Sequence, residues 1–454
     1  MKYCILFAVT TLAFGADYYV AQNGSDTYPG TIGMPWATVG RAMNMCYGPG
    51  DRVFFRAGDT FKGRFYLNLG CTLEGTPTAP ITIATYGAGR AAIDGGLEVE
   101  NKAGITLQNL LLFSSSPSNT LDGVAFYGTT HDYRQRRYIH IDRVEVKQFG
   151  GFGIVIGSWW ADSGGYSDVR ITNSVSHDNR KGGIVTYGSA TGALYVNKNI
   201  YIGHSTAYNN TGYTLANFPA GWRAQGTGNG ILLGSVDGAL LEYSAAYNNG
   251  AENDYIDGPV GIMAYDSRGV VIQYCASYAN KTRAHDGDGF SLDRNTSNSI
   301  LRNNWSHDNY GVGLYLAQNV DQPYHFGNTV AYNLSQNDGR RGAYAGISLW
   351  GPMHGAQIYN NRVVVGPTSS GSPTAFSLSN AYLAGDYMQN ISVHDNVFQT
   401  TGNVPLIYAD PDLLAGSAGI SLANNWFFAQ NFRVIWGAAE YVSSADWTSA
   451  TGMR

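Results

Sequence analysis

Apolar and polar residues alternate with period two in many short runs, as in Val169-Arg170-Ile171-Thr172 and Ile300-Leu301-Arg302-Asn303. Such alternation sets one row of side chains inward and the other outward, which predicts strands with one buried face. Between the runs a short phrase recurs: Ser176-His177-Asp178-Asn179, Ala207-Tyr208-Asn209-Asn210, Ala246-Tyr247-Asn248-Asn249, Ser277-Tyr278-Ala279-Asn280, Ser306-His307-Asp308-Asn309 and Ala331-Tyr332-Asn333. Counted from residue 177, the steps are 31, 39, 31, 29 and 25. Weaker echoes follow at Tyr359-Asn360-Asn361 and His394-Asp395-Asn396. After each phrase a glycine and an apolar residue open another strand, as in Gly183-Ile184, Gly230-Ile231, Gly261-Ile262, Gly289-Phe290, Gly313-Leu314 and Gly346-Ile347.

One unit repeated with loops of varying length accounts for this pattern. A unit of that size cannot bury its apolar side alone, so stacking must supply the core. The pattern therefore predicts an all-β chain, a right-handed parallel β-helix (solenoid) over residues 93–435. Asn and Gly suit the bends, where Asn tolerates left-handed backbone and can stack its amide on the next coil. A sandwich or propeller would instead show paired strands around Asn-Gly turns or a blade motif, and such signals are few.

Both ends depart from the repeat. Lys2, the apolar run Cys4 to Phe14 and the small residues around Gly15 read as an export signal over residues 1–15. The run is shorter than the ~20 apolar residues that a spanning helix needs. A secreted or extracellular protein without a transmembrane segment is expected. Residues 16–92 read as an N-terminal cap and first coils, with a short helix-like stretch ending at Cys46. Residues 436–454 read as a short helix and tail around Ser443-Ser444-Ala445-Asp446-Trp447.

Composition supports an elongated β protein. Charged residues are 13% of the chain, against roughly 25% in an average globular protein. Gly (58) and Tyr (32) are abundant, and the net charge of -5 offers no basic surface for nucleic acid. A monomer is expected. Cys46 and Cys71 can pair in an oxidising compartment, whereas Cys275 sits in an apolar run and reads as a buried small hydrophobe.

The strands after the phrases can be aligned on their glycines. Ile262 and Ala264 then point inward, and Met263 and Tyr265 outward. The same count exposes Val185 and Tyr187, Ser291 and Asp293, Tyr315 and Ala317, and Ser348 and Trp350. Tyr187, Tyr265, Tyr315 and Trp350 are thus candidate substrate-binding residues, since aromatic faces pack on sugar rings while acids bond hydroxyls. The densest polar knot is His285-Asp286-Gly287-Asp288-Gly289-Phe290-Ser291-Leu292-Asp293-Arg294, one coil after Tyr265-Asp266-Ser267-Arg268. Candidate catalytic residues are Asp266, Arg268, His285, Asp288, Asp293 and Arg294: clustered carboxylates divide into acid and base, and arginine can neutralise a uronate. Asp286 and Asp288 are candidate ligands for Ca²⁺, while the Asp-Gly-Asp-Gly run equally suits a tight turn. Glu242 and Glu252 are the main glutamates available to a hydrolase.

The opening (Tyr18-Tyr19-Val20-Ala21, Gly24-Ser25-Asp26, Pro35-Trp36-Ala37-Thr38, Gly50-Asp51-Arg52-Val53) resembles that of secreted proteins of the pectate-lyase-like superfamily. The resemblance implies the fold; that superfamily spans lyases, hydrolases, epimerases and binding proteins. Asp288-Gly289-Phe290 resembles an element of calcium-dependent pectate lyases. Those continue, a coil later, with a carboxylate-rich calcium element and a lysine base. Here that coil reads Asn309-Tyr310-Gly311-Val312-Gly313, and the last lysine of the chain is Lys281. Tyr265-Asp266-Ser267-Arg268 is similar to the Asp-Pro-His-Glu strand of alginate C5-epimerases, with Arg268 where that family has histidine and His285 as an alternative imidazole. Two functions follow as expectations: a polysaccharide lyase or hydrolase, or a carbohydrate-binding or surface protein using the same groove.

Overall fold

The structure is a computed structural model that describes residues 15–160, 162–188, 195–319, 325–380 and 387–453; the expected export segment over residues 1–14 lies outside them. Among the described residues the strands form three long parallel sheets, of 14, 13 and 14 strands. We call them A, B and C in the order in which each coil visits them. One coil runs through Val236–Glu242 of sheet A, Ala245–Tyr247 of sheet B and Val260–Tyr265 of sheet C. Pairing is parallel except at the end of sheet C, where Ala439–Tyr441 turns back on Val434–Trp436. The architecture is the right-handed parallel β-helix that the alternation predicts.

The inward rows are stacks of like residues. Ile231, Ile262, Phe290, Leu314, Ile347 and Phe376 follow one another in register on sheet C, all fully buried. Each such side chain contributes roughly 1.5–3 kcal/mol by burial.

The recurring phrase marks the corner between sheets B and C. Its aromatic residue ends the sheet B strand, and the next residue takes left-handed backbone: Asp178, Asn209, Asn248, Ala279 and Asp308 all have φ of 52–55°. The following asparagine points inward. There Asn179, Asn210, Asn249, Asn280 and Asn309 form a ladder in which each Nδ2 donates to the next Oδ1 at 2.9–3.1 Å. Asn309 donates at 2.8 Å to Asp338, which ends the ladder. The opening glycine of the next strand is required by this ladder. A Cβ on Gly261 would fall 2.0 Å from Ser277 Oγ and 2.5 Å from Asn280 Nδ2.

The repeat count needs one correction. Ala331-Tyr332-Asn333 and the two weaker echoes belong to the corner between sheets A and B, where Asn304, Asn333, Asn361, Asn396 and Asn425 build a second ladder. His307 is in register with Gln336, so the final step is 29 residues and the apparent step of 25 compared two different corners. Both corners set a left-handed residue before an inward amide, and the alternation alone cannot tell them apart.

Both ends of the core are covered. At the start, Thr38 caps the helix Val39–Met43, Trp36 is buried against Tyr18, and Cys46 is bonded to Cys71. At the finish, Ser443 caps the helix Ser444–Thr451, whose buried Trp447 meets Phe427 edge-on at 5.4 Å. Cys275 is buried, as expected, and its thiol is pushed up to about 12 by that burial. No helix among the described residues is long and apolar enough to cross a membrane.

Two outcomes test the ladder. Gly261→Ala should lower the unfolding free energy, read from urea melts, by about 1–3 kcal/mol of overpacking, whereas Gly33→Ala, with nothing within 4 Å of its Cβ, should leave it unchanged. Burial raises the Asp338 carboxyl to about 6, so the native state keeps a proton that the unfolded chain releases above its ordinary value of ~3.9. That contribution is fully present below about pH 4 and is lost as pH rises through about 6. Asp338→Asn should therefore match the parent at pH 4 and exceed it by ~1–3 kcal/mol at pH 8, read from urea midpoints at both pH values.

Candidate active site

A cleft of about 1010 Å³ runs along the outer face of sheet C. Its floor is the outward row of that sheet. Val185, Leu232, Met263, Ser291, Tyr315 and Ser348 follow in register, and the neighbouring row carries Tyr127, Gly157, Tyr187, Gly234 and Tyr265. Tyrosine and glycine alternate there because the rings of Tyr187 and Tyr265 each lie over the glycine one coil back. A Cβ on Gly157 or Gly234 would fall 2.3 Å from the ring of Tyr187 or Tyr265. One wall consists of loops entering from sheet B, with Gln225, Asp257, His285 and Tyr344; the other lies at the turn into sheet A, with Asp266, Arg294 and Trp350.

The carboxylates gather on one coil. Asp286 (φ 62°) and Gly287 (φ 86°) form a left-handed turn that starts the strand Asp288–Leu292. Asp286 donates its N–H to the Tyr344 hydroxyl at 2.9 Å, and its Oδ2 accepts the Gly258 N–H at 2.9 Å. Asp288 Oδ1 accepts the Val312 N–H at 2.5 Å, and Gly311 leaves the room it needs: a Cβ there would lie 2.0 Å from that oxygen. Asp293 closes the strand on the other side, where its Oδ1 accepts the Arg294 N–H at 2.6 Å. Arg294 reaches Asp266 at 3.1 Å and lies 5.8 Å over the Tyr265 ring.

These positions set the protonation pattern. Burial raises Asp286 to about 6, and the charge of Asp257 adds to it. Asp288 is raised well above the usual carboxylate range, first by burial and then by Asp286. Burial also lifts Asp293 to about 6, with Arg294 pulling the other way. The charges that raise Asp286 and Asp288 are those of neighbouring carboxylates. The Tyr315 hydroxyl is pushed up by burial and by all three carboxylates, which marks it as their neighbour.

Tyr187, Tyr265, Tyr315, Trp350, Asp266, His285, Asp286, Asp288, Asp293 and Arg294 thus line one cleft. His285 is at its exposed rim. Arg268 does not belong there. Asp266 takes left-handed backbone (φ 46°), the chain turns into sheet A, and the alternation counted along Tyr265–Arg268 restarts. Arg268 then forms a two-pronged pair with Asp237 at 2.8 and 2.9 Å on the sheet A face. The glutamates lie elsewhere as well: Glu242 accepts from Gln273 at 2.6 Å, and Glu252 pairs with Arg283.

Calcium takes six to eight oxygens, usually with several carboxylates; Asp286 and Asp288 each give one oxygen to a backbone N–H. Among the described residues, no three His, Cys, Asp or Glu side chains gather as metal ligands.

Among the lining residues that escaped the sequence reading are Asp122, Tyr127, Lys181 and Tyr344. Asp122-Gly123 had a usable signal, because Asp122 and Asp288 each precede a glycine at the same position of their coils. Lys181 and Tyr344 stand in connecting segments without periodicity, and nothing local marks them.

Residues 223–363 match the family model described as right handed beta helix region. No curated protein matches the sequence. The GH136 lacto-N-biosidase of Eubacterium ramulus superposes with a TM-score of 0.61 at 16% identity, over 91% of this chain and 68% of that one. The A-module of the mannuronan C-5 epimerase AlgE4 of Azotobacter vinelandii gives 0.54 at 14%, over 87% and 91%. The periplasmic alginate epimerase AlgG gives 0.52 at 12%, over 91% and 84%. By its strand order, its match to that model over residues 223–363 and these likenesses, the chain has the right-handed parallel β-helix fold.

Proposed function

We propose that the protein is a glycoside hydrolase that cuts a polysaccharide lying along sheet C. The observation that carries this reading is the set of three carboxylates on one coil of an aromatic-floored cleft, with Arg294 beside Asp293. Glycoside hydrolysis needs one carboxyl group that gives a proton to the leaving oxygen and one carboxylate that acts at the anomeric carbon, directly or through water. The buried Asp286–Asp288 pair cannot ionise twice cheaply, so it holds a proton and serves as the acid. Asp293, beside Arg294, ionises more readily and acts at the anomeric carbon. Tyr187, Tyr265, Tyr315 and Trp350 offer faces to the sugar rings.

Elimination suits the cleft less well. The lysine of the cleft, Lys181, is three coils from Asp288, and Arg294, bound to Asp266, is a poor base. Calcium has no step in this reading. Likeness to a lacto-N-biosidase and to alginate epimerases supports a saccharide as the ligand. The Cys46–Cys71 bond supports export to an oxidising compartment. The competing reading, a binder without turnover, also draws on the aromatic floor but leaves the carboxylates without a role.

Purified protein incubated with a panel of polysaccharides should release reducing ends without unsaturated uronide absorbance. Asp293→Asn and Asp286→Asn should each lower kcat by ~10²–10⁴ while the oligosaccharide stays bound. Retained turnover in both variants, or uronide absorbance, refutes the assignment. With Asp293 raised to about 6 and the Asp286–Asp288 proton held more tightly still, kcat/KM should form a bell whose acid limb lies near pH 6. The acid limb follows ionisation of Asp293 and the alkaline limb loss of the acid's proton. Removing the Arg294 charge raises Asp293 further, so Arg294→Ala should move the acid limb to higher pH.

A further inference from the structure

Three coils before the Asp286–Asp288 turn, Lys181 enters the same cleft. At ~4.8 Å per coil it stands about 14 Å along the axis from those carboxylates. Its Nζ lies 4.5 Å from the ring centroid of Phe152 and 4.8 Å from that of Trp222, so the ammonium is held between two aromatic faces. Burial lowers its pKa, and the charge of Asp122 opposes that. Asp122 is nonetheless occupied. Its Oδ1 accepts the Phe152 N–H at 2.6 Å, and its Oδ2 accepts the Tyr127 hydroxyl. The Lys181 backbone bonds Gly151 and Gly228, but among the described residues its ammonium forms no hydrogen bond or ion pair; the contacts of Nζ are the two rings.

A half-buried ammonium without an acceptor is costly, and the open side of this one is the cleft. Tyr187, Phe152 and Trp222 around it give the apolar surface that a sugar ring covers. We infer that Lys181 binds the anionic substituent, carboxylate or sulfate ester, of an acidic sugar unit several positions from the bond that is cut. The substrate class is then an acidic polysaccharide. This inference deepens the hydrolase reading and rests on it for the role of the cleft. A group so far from the reacting bond contributes equally to ground state and transition state, so its loss acts on KM and leaves kcat in place.

Binding is best measured by calorimetry in Asp293→Asn protein, where turnover is strongly slowed. The probes are hexamers of galacturonate, mannuronate and glucuronate, each with its carboxyl-reduced counterpart, and a sulfated galactan hexamer with its desulfated form. At least one acidic hexamer should bind, at least tenfold more weakly after Lys181→Met, with its neutral counterpart equally bound by both proteins. Lys181→Arg should keep most of the preference, which separates charge from packing. The pair that responds tells carboxylate from sulfate. Equal binding of every acidic hexamer by parent and Lys181→Met, neutral forms bound as tightly as acidic ones, or no acidic hexamer bound would overturn the inference. Each of those results leaves hydrolysis of a neutral chain standing. Conversely, a wild-type protein that releases no reducing ends overturns the hydrolase reading and leaves the anion site intact.

Discussion

The rest of the structure depends on buried side-chain amides that run from coil to coil. A parallel solenoid turns its backbone at every corner, and each turn leaves N–H and C=O groups that no strand partner meets. At the corner between sheets B and C, Asn210 satisfies this demand twice. Its Oδ1 accepts from Asn179 N–H and Nδ2, while its own N–H and Nδ2 donate to Asn249. The pattern admits no slip by one residue, because a slip would bury an unpaired amide at each coil. Register on sheet C is therefore set at its entry. That sheet carries the cleft, so the ladder that closes the core also fixes which residues line the floor.

The same corner explains where variation is tolerated. Between the inward asparagine and the next glycine, the loop is free to differ, and the spacing between coils varies from 29 to 39 residues without changing the register. Those loops bring Gln225, Asp257, His285 and Tyr344 over one side of sheet C. A rigid floor with variable walls is the usual division of labour between scaffold and site. On the outer face of sheet B the short loops leave a different result. There His177, Tyr208, Tyr247, Tyr278 and His307 stack at 4.6–5.0 Å, presenting ring edges rather than faces.

The fold was legible because its constraint is periodic. Period-two alternation and the Asn-Gly spacing report inward and outward rows directly, and Met263, Tyr265 and Asp293 fell on the outward side as the count required. The count failed where backbone conformation changed: at Asp266 the left-handed residue rotates the chain into another sheet, and Arg268 left the cleft. It failed again where two corners share one phrase, at Tyr332. Lys181 and Tyr344 were beyond its reach, since their placement comes from segments whose course depends on contacts across coils. The chemistry of Asp286, Asp288 and Asp293 was visible as residue types; which of them holds a proton depends on burial and on Arg294, which only the geometry supplies.

The cleft also bears on why the chain holds so few charges. With charged residues at 13% of the sequence, most coils carry none on sheet C, yet one coil places Asp286, Asp288 and Asp293 together there with their pKa values raised. Carboxyl groups held above their ordinary range destabilise the native state at neutral pH, because the unfolded chain ionises more easily. A solenoid can carry that cost locally, since each coil is supported by its neighbours above and below rather than by one shared centre. Phe290 and Leu292, fully buried between the coils of Ile262 and Leu314, anchor the strand that Asp288 opens and that Asp286 and Asp293 flank. A polar cluster on an otherwise apolar and amide-bonded shaft can thus remain strained in its protonation without loosening its position, and a fixed position for an acid and a base is what cleavage of a glycosidic bond requires.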